Sequence, residues 1–331
     1  MAVEFLNIEP HTDAWYSYRK ENGTGASEVA TIMNLNPYEC PLQLFHRKLN
    51  LLPRAKKNIR MELGNMSENL IGELYEYYDK DEAVFLDNLD KKRKVRKVEP
   101  SGGICINSDY KGLFVSLDRK CFEDGKWIDL EFKNKTYQSY KQYENAMNPA
   151  EIVQLSTQLI VSRFPIARII YLIDNVRLEV FELKLEDALR LENKIIRAYK
   201  YFNDRVDKGR ILLNRIYEAK NQFNQKLVEK LHQELYALEP PSDNSEAYLS
   251  YLTELAKTRR ESHPLKGNPE LLSRAKELQK IQDKRKKLEA QEVAIKSELV
   301  TVLRENEKSI LDFGKEGNLS FHNGRFSLKL K

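Results

Sequence analysis

Cysteine is scarce in this chain. Only Cys40, Cys105 and Cys121 occur, an odd number with no CxxC spacing, which suggests neither a disulfide framework nor a zinc or iron-sulfur cluster and fits a reduced, cytosolic protein. No apolar run approaches the roughly 20 residues that span a bilayer. The start, Met1-Ala2-Val3-Glu4-Phe5, lacks the basic-then-hydrophobic order of an export signal, so neither export nor a membrane partner is expected. There is no glycine-rich phosphate loop of the Walker type, and nucleotide hydrolysis is not expected. His11, His46, His232, His263 and His322 are scattered without metal-ligand spacing. Neither sign of charge dominates. The 55 Lys+Arg against 50 Asp+Glu give a formal +5, which permits an anionic partner without requiring one.

A chain of 331 residues is long for one compact domain and suits a domain with an appendage. The first third reads as helices broken by turns, at Trp15–Asn22, Ser27–Leu35, Pro41–Leu49 and Asn58–Tyr78. In the last of these Leu63, Met66, Leu70, Leu74 and Tyr78 recur every three or four positions, giving one buried face. From Ala83 to Phe132 the period changes to two, with turn signals at Asp87-Asn88, Ser101-Gly102-Gly103 and Glu123-Asp124-Gly125, and antiparallel strands are expected. A helix over Ala150–Arg163 and strands at Ala167–Ile173 and Leu178–Leu183 follow. The fold class is therefore α/β (α+β), a mixed sheet with helices packed on it. Beyond Glu186 the chain turns to long, charged helices, and the division is expected near residue 212, with 213–331 a helical extension ending in two short strand-like runs, Ser309–Phe313 and Leu319–Leu330. Ile281, Leu288, Ile295 and Val302 lie seven apart, but the companion seam holds Arg285 and Glu292, so a helical hairpin is expected there in preference to a sustained coiled coil.

The residues that carry chemistry sit where two strands end. Asp118 closes the alternating run Leu113-Phe114-Val115-Ser116-Leu117-Asp118, and Glu131 and Lys133 close Trp127-Ile128-Asp129-Leu130-Glu131-Phe132-Lys133 after a hairpin-like connection. Antiparallel neighbours lie about 5 Å apart, so the two carboxylates could converge on one cation, with Lys133 about 7 Å along the same face. Phosphodiester hydrolysis needs a cation to neutralise charge on the phosphorus oxygens and to activate water, and oxygen ligands suit Mg²⁺. Charges at alternate strand positions are also what a solvated strand face shows, so the pattern alone leaves both readings open.

The flanking segments resemble the lambda exonuclease and YqaJ viral recombinase family, a branch of the PD-(D/E)XK nucleases. The resemblance runs through Trp15-Tyr16-Ser17-Tyr18-Arg19, Gly25-Ala26-Ser27-Glu28-Val29, Asn36-Pro37-Tyr38 with Pro41-Leu42 and Lys48, Gly64-Asn65-Met66-Ser67-Glu68, Ser116-Leu117-Asp118, Glu131-Phe132-Lys133 and Gln154-Leu155-Ser156-Thr157-Gln158-Leu159. Each motif is short, but order and spacing agree over roughly residues 10 to 185. The resemblance implies a restriction-endonuclease-like core within residues 1–212. It implies that Asp118, Glu131 and the main-chain carbonyl of Phe132 bind metal, with Glu68 helping to hold a second ion or its water, and that Lys133 is the catalytic lysine. Gln154 would orient the attacking water, with Gln158, one turn along the same face, as second choice. Arg19, Ser27 and Ser116 resemble positions that hold the 5′-phosphate of the degraded strand; directed contacts from a guanidinium and hydroxyls suit that group, and Ser27 lies near a helix N-terminus. Each also has a plain structural reading: a salt bridge for Arg19, a helix cap for Ser27, an outward strand hydroxyl for Ser116, an exposed helix acid for Glu68 and a polar helix position for Gln154. Leu117 stands where the family commonly has proline. Asp129 shares the Glu131 face and is either a further ligand or solvent-exposed.

The resemblance thus implies a Mg²⁺-dependent 5′ to 3′ exonuclease, with two ions per site and Mn²⁺ able to substitute, acting on double-stranded DNA ends. Its 3′ single-stranded product would pass to a single-strand annealing protein in phage-type recombination within a bacterial cytoplasm. A homo-oligomeric ring around DNA is expected. The competing readings are a repair or CRISPR-associated nuclease of the same superfamily, and a catalytically silent DNA-binding scaffold.

Overall fold

A computed structural model describes residues 2–10, 12–53, 59–143, 146–257, 267–322 and 325–330, Arg60 by its backbone alone. His11 and His263 lie outside the described residues. Two compact units are formed, Met1–Arg259 and Arg260–Lys331.

Unit 1 opens with β1 (Val3–Leu6), α1 (Asp13–Glu21), the two-residue β2 (Thr24–Gly25), α2 (Ala26–Ile32), α3 (Pro41–Lys48), α4 (Ile59–Tyr77) and α5 (Glu82–Asp90). It continues with β3 (Val98–Pro100), β4 (Ile104–Asn107), β5 (Leu113–Ser116), β6 (Arg119–Glu123), β7 (Lys126–Lys135), α6 (Tyr137–Lys141), α7 (Pro149–Ser162), β8 (Ile166–Ile173), β9 (Arg177–Lys184) and α8 (Leu185–Ala188). The helices α9 (Glu192–Asn221), α10 (Gln225–Ala237) and α11 (Glu246–Lys257) complete it. The strands form two sheets, ordered β1-β4-β5-β2 and β3-β6-β7-β8-β9. In the five-stranded sheet β7 and β8 run parallel while β6 and β9 pair antiparallel to them, a mixed sheet as expected.

The parallel step from β7 to β8 requires a crossover, and α7 provides it. Its amphipathic character is weak because both sides of the helix are packed: Val153, Leu155, Leu159, Ile160 and Val161 are all buried with Val115, Leu117, Ile169 and Tyr171. On the opposite face of the sheet α4 lays Ile71 and Tyr75 against Ile128, Leu130, Phe132 and Ile170. The alternation of β7 thus separates two packed faces. The charged face of Asp129 and Glu131 turns inward, and both side chains are buried.

Several expectations change. Residues 82–90 are helix, not strand: Asp81 caps α5 by accepting from the backbone N–H groups of Ala83 and Val84, a local bond that favours helix entry. The short β1 and β2 went unread because four- and two-residue strands leave little period to detect. The division expected near residue 212 falls inside the 30-residue α9, whose Phe202, Val206, Leu212 and Ile216 pack with Val228, Leu231 and Leu235 of α10. Those two helices make a hairpin within unit 1.

Unit 2 contains α12 (Pro269–Glu305) and a three-stranded antiparallel sheet of β10 (Ile310–Asp312), β11 (Gly317–His322) and β12 (Arg325–Leu330). The second strand-like run is thus two strands of a hairpin, paired from Gly317↔Leu330 to His322↔Arg325. Among the described residues no helix is long and apolar enough to cross a membrane.

Candidate active site

Five residues of β7, Lys126 to Leu130, pair with β6; the register stops at Arg119↔Leu130. Beyond it β7 keeps β8 as partner out to Lys135↔Ile173 and leaves its other edge to side chains. Asp118, immediately before β6, fills that gap: its Oδ2 accepts the Phe132 N–H at 2.8 Å. In a strand the N–H and C=O of one residue point to the same edge, so the Phe132 carbonyl faces the same gap. Leu117, the departure from the proline pattern, is fully buried in the core and anchors the turn.

Glu131 is held on three sides. Its Oε1 accepts from Lys133 Nζ and from Gln154 Nε2 at 2.6 Å, and its Oε2 accepts from Gln158 Nε2 at 2.7 Å. Both glutamines reach it from α7, four residues apart and one above the other. The second-choice glutamine therefore holds Glu131 as closely as the first.

Charge in this region is unbalanced. Burial raises the Asp118 carboxyl well above the usual carboxylate range; Glu131 and Glu68 add to the rise, while Lys133 and the Phe132 N–H oppose it. Burial works against the Lys133 ammonium, yet Glu131, Asp118 and Glu151 hold it above the ordinary lysine range. Glu68 comes from α4, which is fastened beside β7 by Asn134 Nδ2 donating to Ser67 Oγ at 2.8 Å and Arg119 Nη2 donating to Asn69 Oδ1 at 2.7 Å. Burial and then Glu131 raise its carboxyl, against Lys133 and Arg119. It lies within electrostatic reach of the other acids without a hydrogen bond to them.

Asp129 is fully buried, so the exposed reading fails. Among the described residues neither of its carboxyl oxygens has a hydrogen-bond partner of good geometry, and burial, then Glu131 and Asp118, push its carboxyl well above the usual range against the opposing Leu130 N–H.

Among the described residues no group of three or more His, Cys, Asp or Glu side chains has the arrangement to hold a metal ion. The donor set is instead mixed, two carboxylates with a main-chain carbonyl. These all-oxygen donors, carrying more negative charge than Lys133 offsets, suit a hard divalent cation.

A second cluster adjoins the first. Arg19 Nη2 donates to Ser27 Oγ at 3.2 Å, and the guanidinium lies 4.5 Å from the centre of the Trp15 ring. Trp15 Nε1 in turn donates to Ser116 Oγ at 3.4 Å, two residues before Asp118. Arg19, Ser27 and Ser116 are thereby brought together, with Trp15 as the link that sequence reasoning did not assign. Gly25 makes room: a Cβ there would meet the Arg19 guanidinium at 3.2 Å and Phe114 at 3.0 Å.

Beneath this cluster lies a buried ion network. Glu28 accepts the Gly25 N–H at 2.9 Å and pairs with Lys48 at 2.7 Å and Arg47 at 3.2 Å, with Arg19 at 3.8 Å. It, not Ser27, caps α2. Burial would raise the Glu28 carboxyl, but Lys48, Arg19, Arg47 and the Gly25 N–H hold it down to about 2. A glutamate three residues past a helix entry was the available signal for this role. His46 is tied to Tyr251 at 2.5 Å and Glu239 at 3.0 Å and serves packing of α11 on α3.

Comparison with known proteins gives one family and a set of folds. The sequence pattern of the YqaJ-like viral recombinase domain matches residues 14–165, which include every residue of both clusters. The alkaline exonuclease LHK-Exo from Laribacter hongkongensis is 17% identical over 63% of this chain and 99% of its own, with a TM-score of 0.46. Its complex with dAMP gives the same identity and coverage and a TM-score of 0.47. No curated protein matches the sequence.

Proposed function

Residues 14–165 match the YqaJ-like viral recombinase domain, and from that match we propose that this chain is a Mg²⁺-dependent 5′ to 3′ exonuclease acting on double-stranded DNA ends. The observation that carries the reading is the junction of the two clusters. An acid pair, Glu131 buried and Asp118 half-buried, stands with one lysine at the strand end where Asp118 follows Ser116 by two residues, and Ser116 is joined through Trp15 to the Arg19–Ser27 pair. A terminal phosphate held at the second cluster puts the first phosphodiester near the first.

Asp118, Glu131 and the Phe132 carbonyl would hold the cation, with Glu68 beside a second; Mn²⁺ suits the same oxygens. When bound, the ion supplies neutralisation of the phosphorus oxygens and a more acidic water. The chain's own groups do the rest. Gln154 and Gln158 fix the Glu131 carboxylate in one orientation, as partners of ligand carboxylates commonly do. Lys133, kept charged by its acidic neighbours, donates to the attacking water or to the phosphate oxygens as negative charge builds. Water adds to phosphorus as the P–O3′ bond breaks, and the proton it loses ends on the departing 3′-oxygen. The shortened strand then ends in a new 5′-phosphate, the group that Arg19, Ser27 and Ser116 accept, so one cut prepares the next. The 3′-ended single strand left behind is a substrate for a single-strand annealing protein.

The test is digestion of linear duplex DNA labelled at the 5′ or the 3′ end, with and without a 5′-phosphate. Release from the 5′ end, slowed at least tenfold without the phosphate and slowed similarly by Arg19→Ala, is expected. Release from the 3′ end, or indifference to the phosphate, would overturn the polarity and the pocket. DNA binding with no cleavage under any metal would favour the silent scaffold.

A further inference from the structure

The 37-residue α12 buries only Leu303. Leu271, Leu278, Ile281, Leu288 and Ile295 all stand exposed along it. Near its C-terminal end the helix meets the small sheet, where Lys296 lies 5.4 Å from the Phe326 ring of β12. N-terminal to this the apolar side chains have no cover from the described residues of unit 2. An apolar line of this length in water marks a contact surface.

The order of residues along the line says what fits it. Leu278, Ile281, Arg285, Leu288, Glu292 and Ile295 follow one another at steps of three and four, the spacing of a coiled-coil seam, over about 26 Å at the helical rise. Two of the six positions are charged and of opposite sign. In a parallel pair of identical helices Arg285 would face Arg285 and Glu292 would face Glu292, two like-charge layers in an apolar seam. Antiparallel pairing about a point between Lys286 and Lys287 changes this. Leu278 then meets Ile295 of the second copy, Ile281 meets Glu292, and Leu288 meets Arg285. Each Arg285 lies one layer from the other copy's Glu292, so the two-fold axis makes two opposite-charge contacts, while the aliphatic stems of both residues cover the neighbouring Leu288 and Ile281. The competing pairs within the helix, Arg285 with Glu289 at 3.3 Å and Glu292 with Lys296, are exposed and contribute little. We propose that α12 docks onto α12 of a second copy of this chain as a short antiparallel coiled coil, with Arg285 and Glu292 setting its orientation. The two charges that speak against a parallel pair select the antiparallel one.

The experiment is light-scattering mass analysis of the full chain at micromolar concentration, a readout independent of nuclease activity. The wild type should be a dimer or a multiple of two. Arg285→Glu and Glu292→Arg, each alone, should weaken association at least tenfold with helical content unchanged by circular dichroism. The combined Arg285→Glu/Glu292→Arg variant should restore it. Orientation is read by oxidative cross-linking: Leu278→Cys with Ile295→Cys should link two copies, and Leu278→Cys alone should not, the native cysteines being buried. A monomer at all concentrations, failure of the double reversal to rescue, or self-linking of Leu278→Cys alone would overturn the proposal.

Discussion

At the scale of single residues, the site is built from acids held against their solution preference. The Asp118 carboxyl is raised well above the usual range, burial first and Glu131 next. An acid whose pKa rises on folding costs stability once the pH exceeds its unfolded value. Asp118→Asn should therefore raise the melting temperature of the metal-free protein at pH 8 while abolishing cleavage, and the gain should fade as the pH falls toward 4; an Asn oxygen can still accept the Phe132 N–H. Thermal melts in EDTA across this range check it. Glu28 has the opposite sign. Its carboxyl is held to about 2, so its contribution is complete above the unfolded value near 4.5 and is lost as pH falls from there toward 2. The drop corresponds to about 3 kcal/mol at one pKa step per 1.4 kcal/mol, and Glu28→Gln should remove this part of the acid dependence in urea melts at pH 5 and 3. That Glu131 and Lys133 lie on one side of β7 was legible in sequence because strand alternation fixes which side chains share a face. Asp129 obeys the same alternation, yet whether that face meets water depends on α7, which begins fourteen residues after β7 ends. Nothing within the strand records that.

At the scale of elements, α4, β7 and α7 form the sandwich that sets the site. Gly72 leaves little room between α4 and β7: a Cβ there would meet the Phe132 ring at 3.2 Å. Because the Phe132 peptide bonds Asp118, pressure on this ring reaches the site. Gly72→Leu should cost about 1–3 kcal/mol by overpacking and depress cleavage further than stability alone explains, as paired urea melts and activity on one preparation would show. The helices α4 and α7 were legible as elements, but the buried face expected for α4 was not the true one: Leu63, Met66 and Leu70 are exposed, and Ile71 and Tyr75 face the sheet instead, because which side of a helix is covered is set by the strand packed on it. The α5 segment was not, because a short apolar run reads equally as strand or helix, and the deciding bonds come from Asp81 just outside it.

At the scale of the molecule, the two units differ in charge. Residues 260–331 hold 16 Lys+Arg and 11 Asp+Glu, which leaves 39 of each in residues 1–259, so the whole excess of +5 sits in unit 2. Lys276, Lys280, Lys284 and Lys287 recur along α12 at helical spacing without ion-pair partners among the described residues. On the DNA-processing reading, changing all four to Gln should weaken duplex binding and flatten the slope of log affinity against log salt, by about 0.9 for each phosphate no longer neutralised, with cleavage at saturating DNA unchanged. Fluorescence anisotropy over a salt series measures both. The break between units was misplaced because a charged, amphipathic helix such as α9 has the same composition whether it closes one domain or begins another. Its packing against α10 decides the matter, and that packing is a property of the fold.

The most direct test of the account is single-turnover release of nucleotides from 5′-phosphorylated duplex DNA by wild type and Lys133→Ala, in Mg²⁺ and in EDTA. The account predicts release by wild type in Mg²⁺ only, and a loss of about a hundredfold or more in a variant that still folds and binds DNA. Release by Lys133→Ala at the wild-type rate, or by wild type in EDTA, would contradict it.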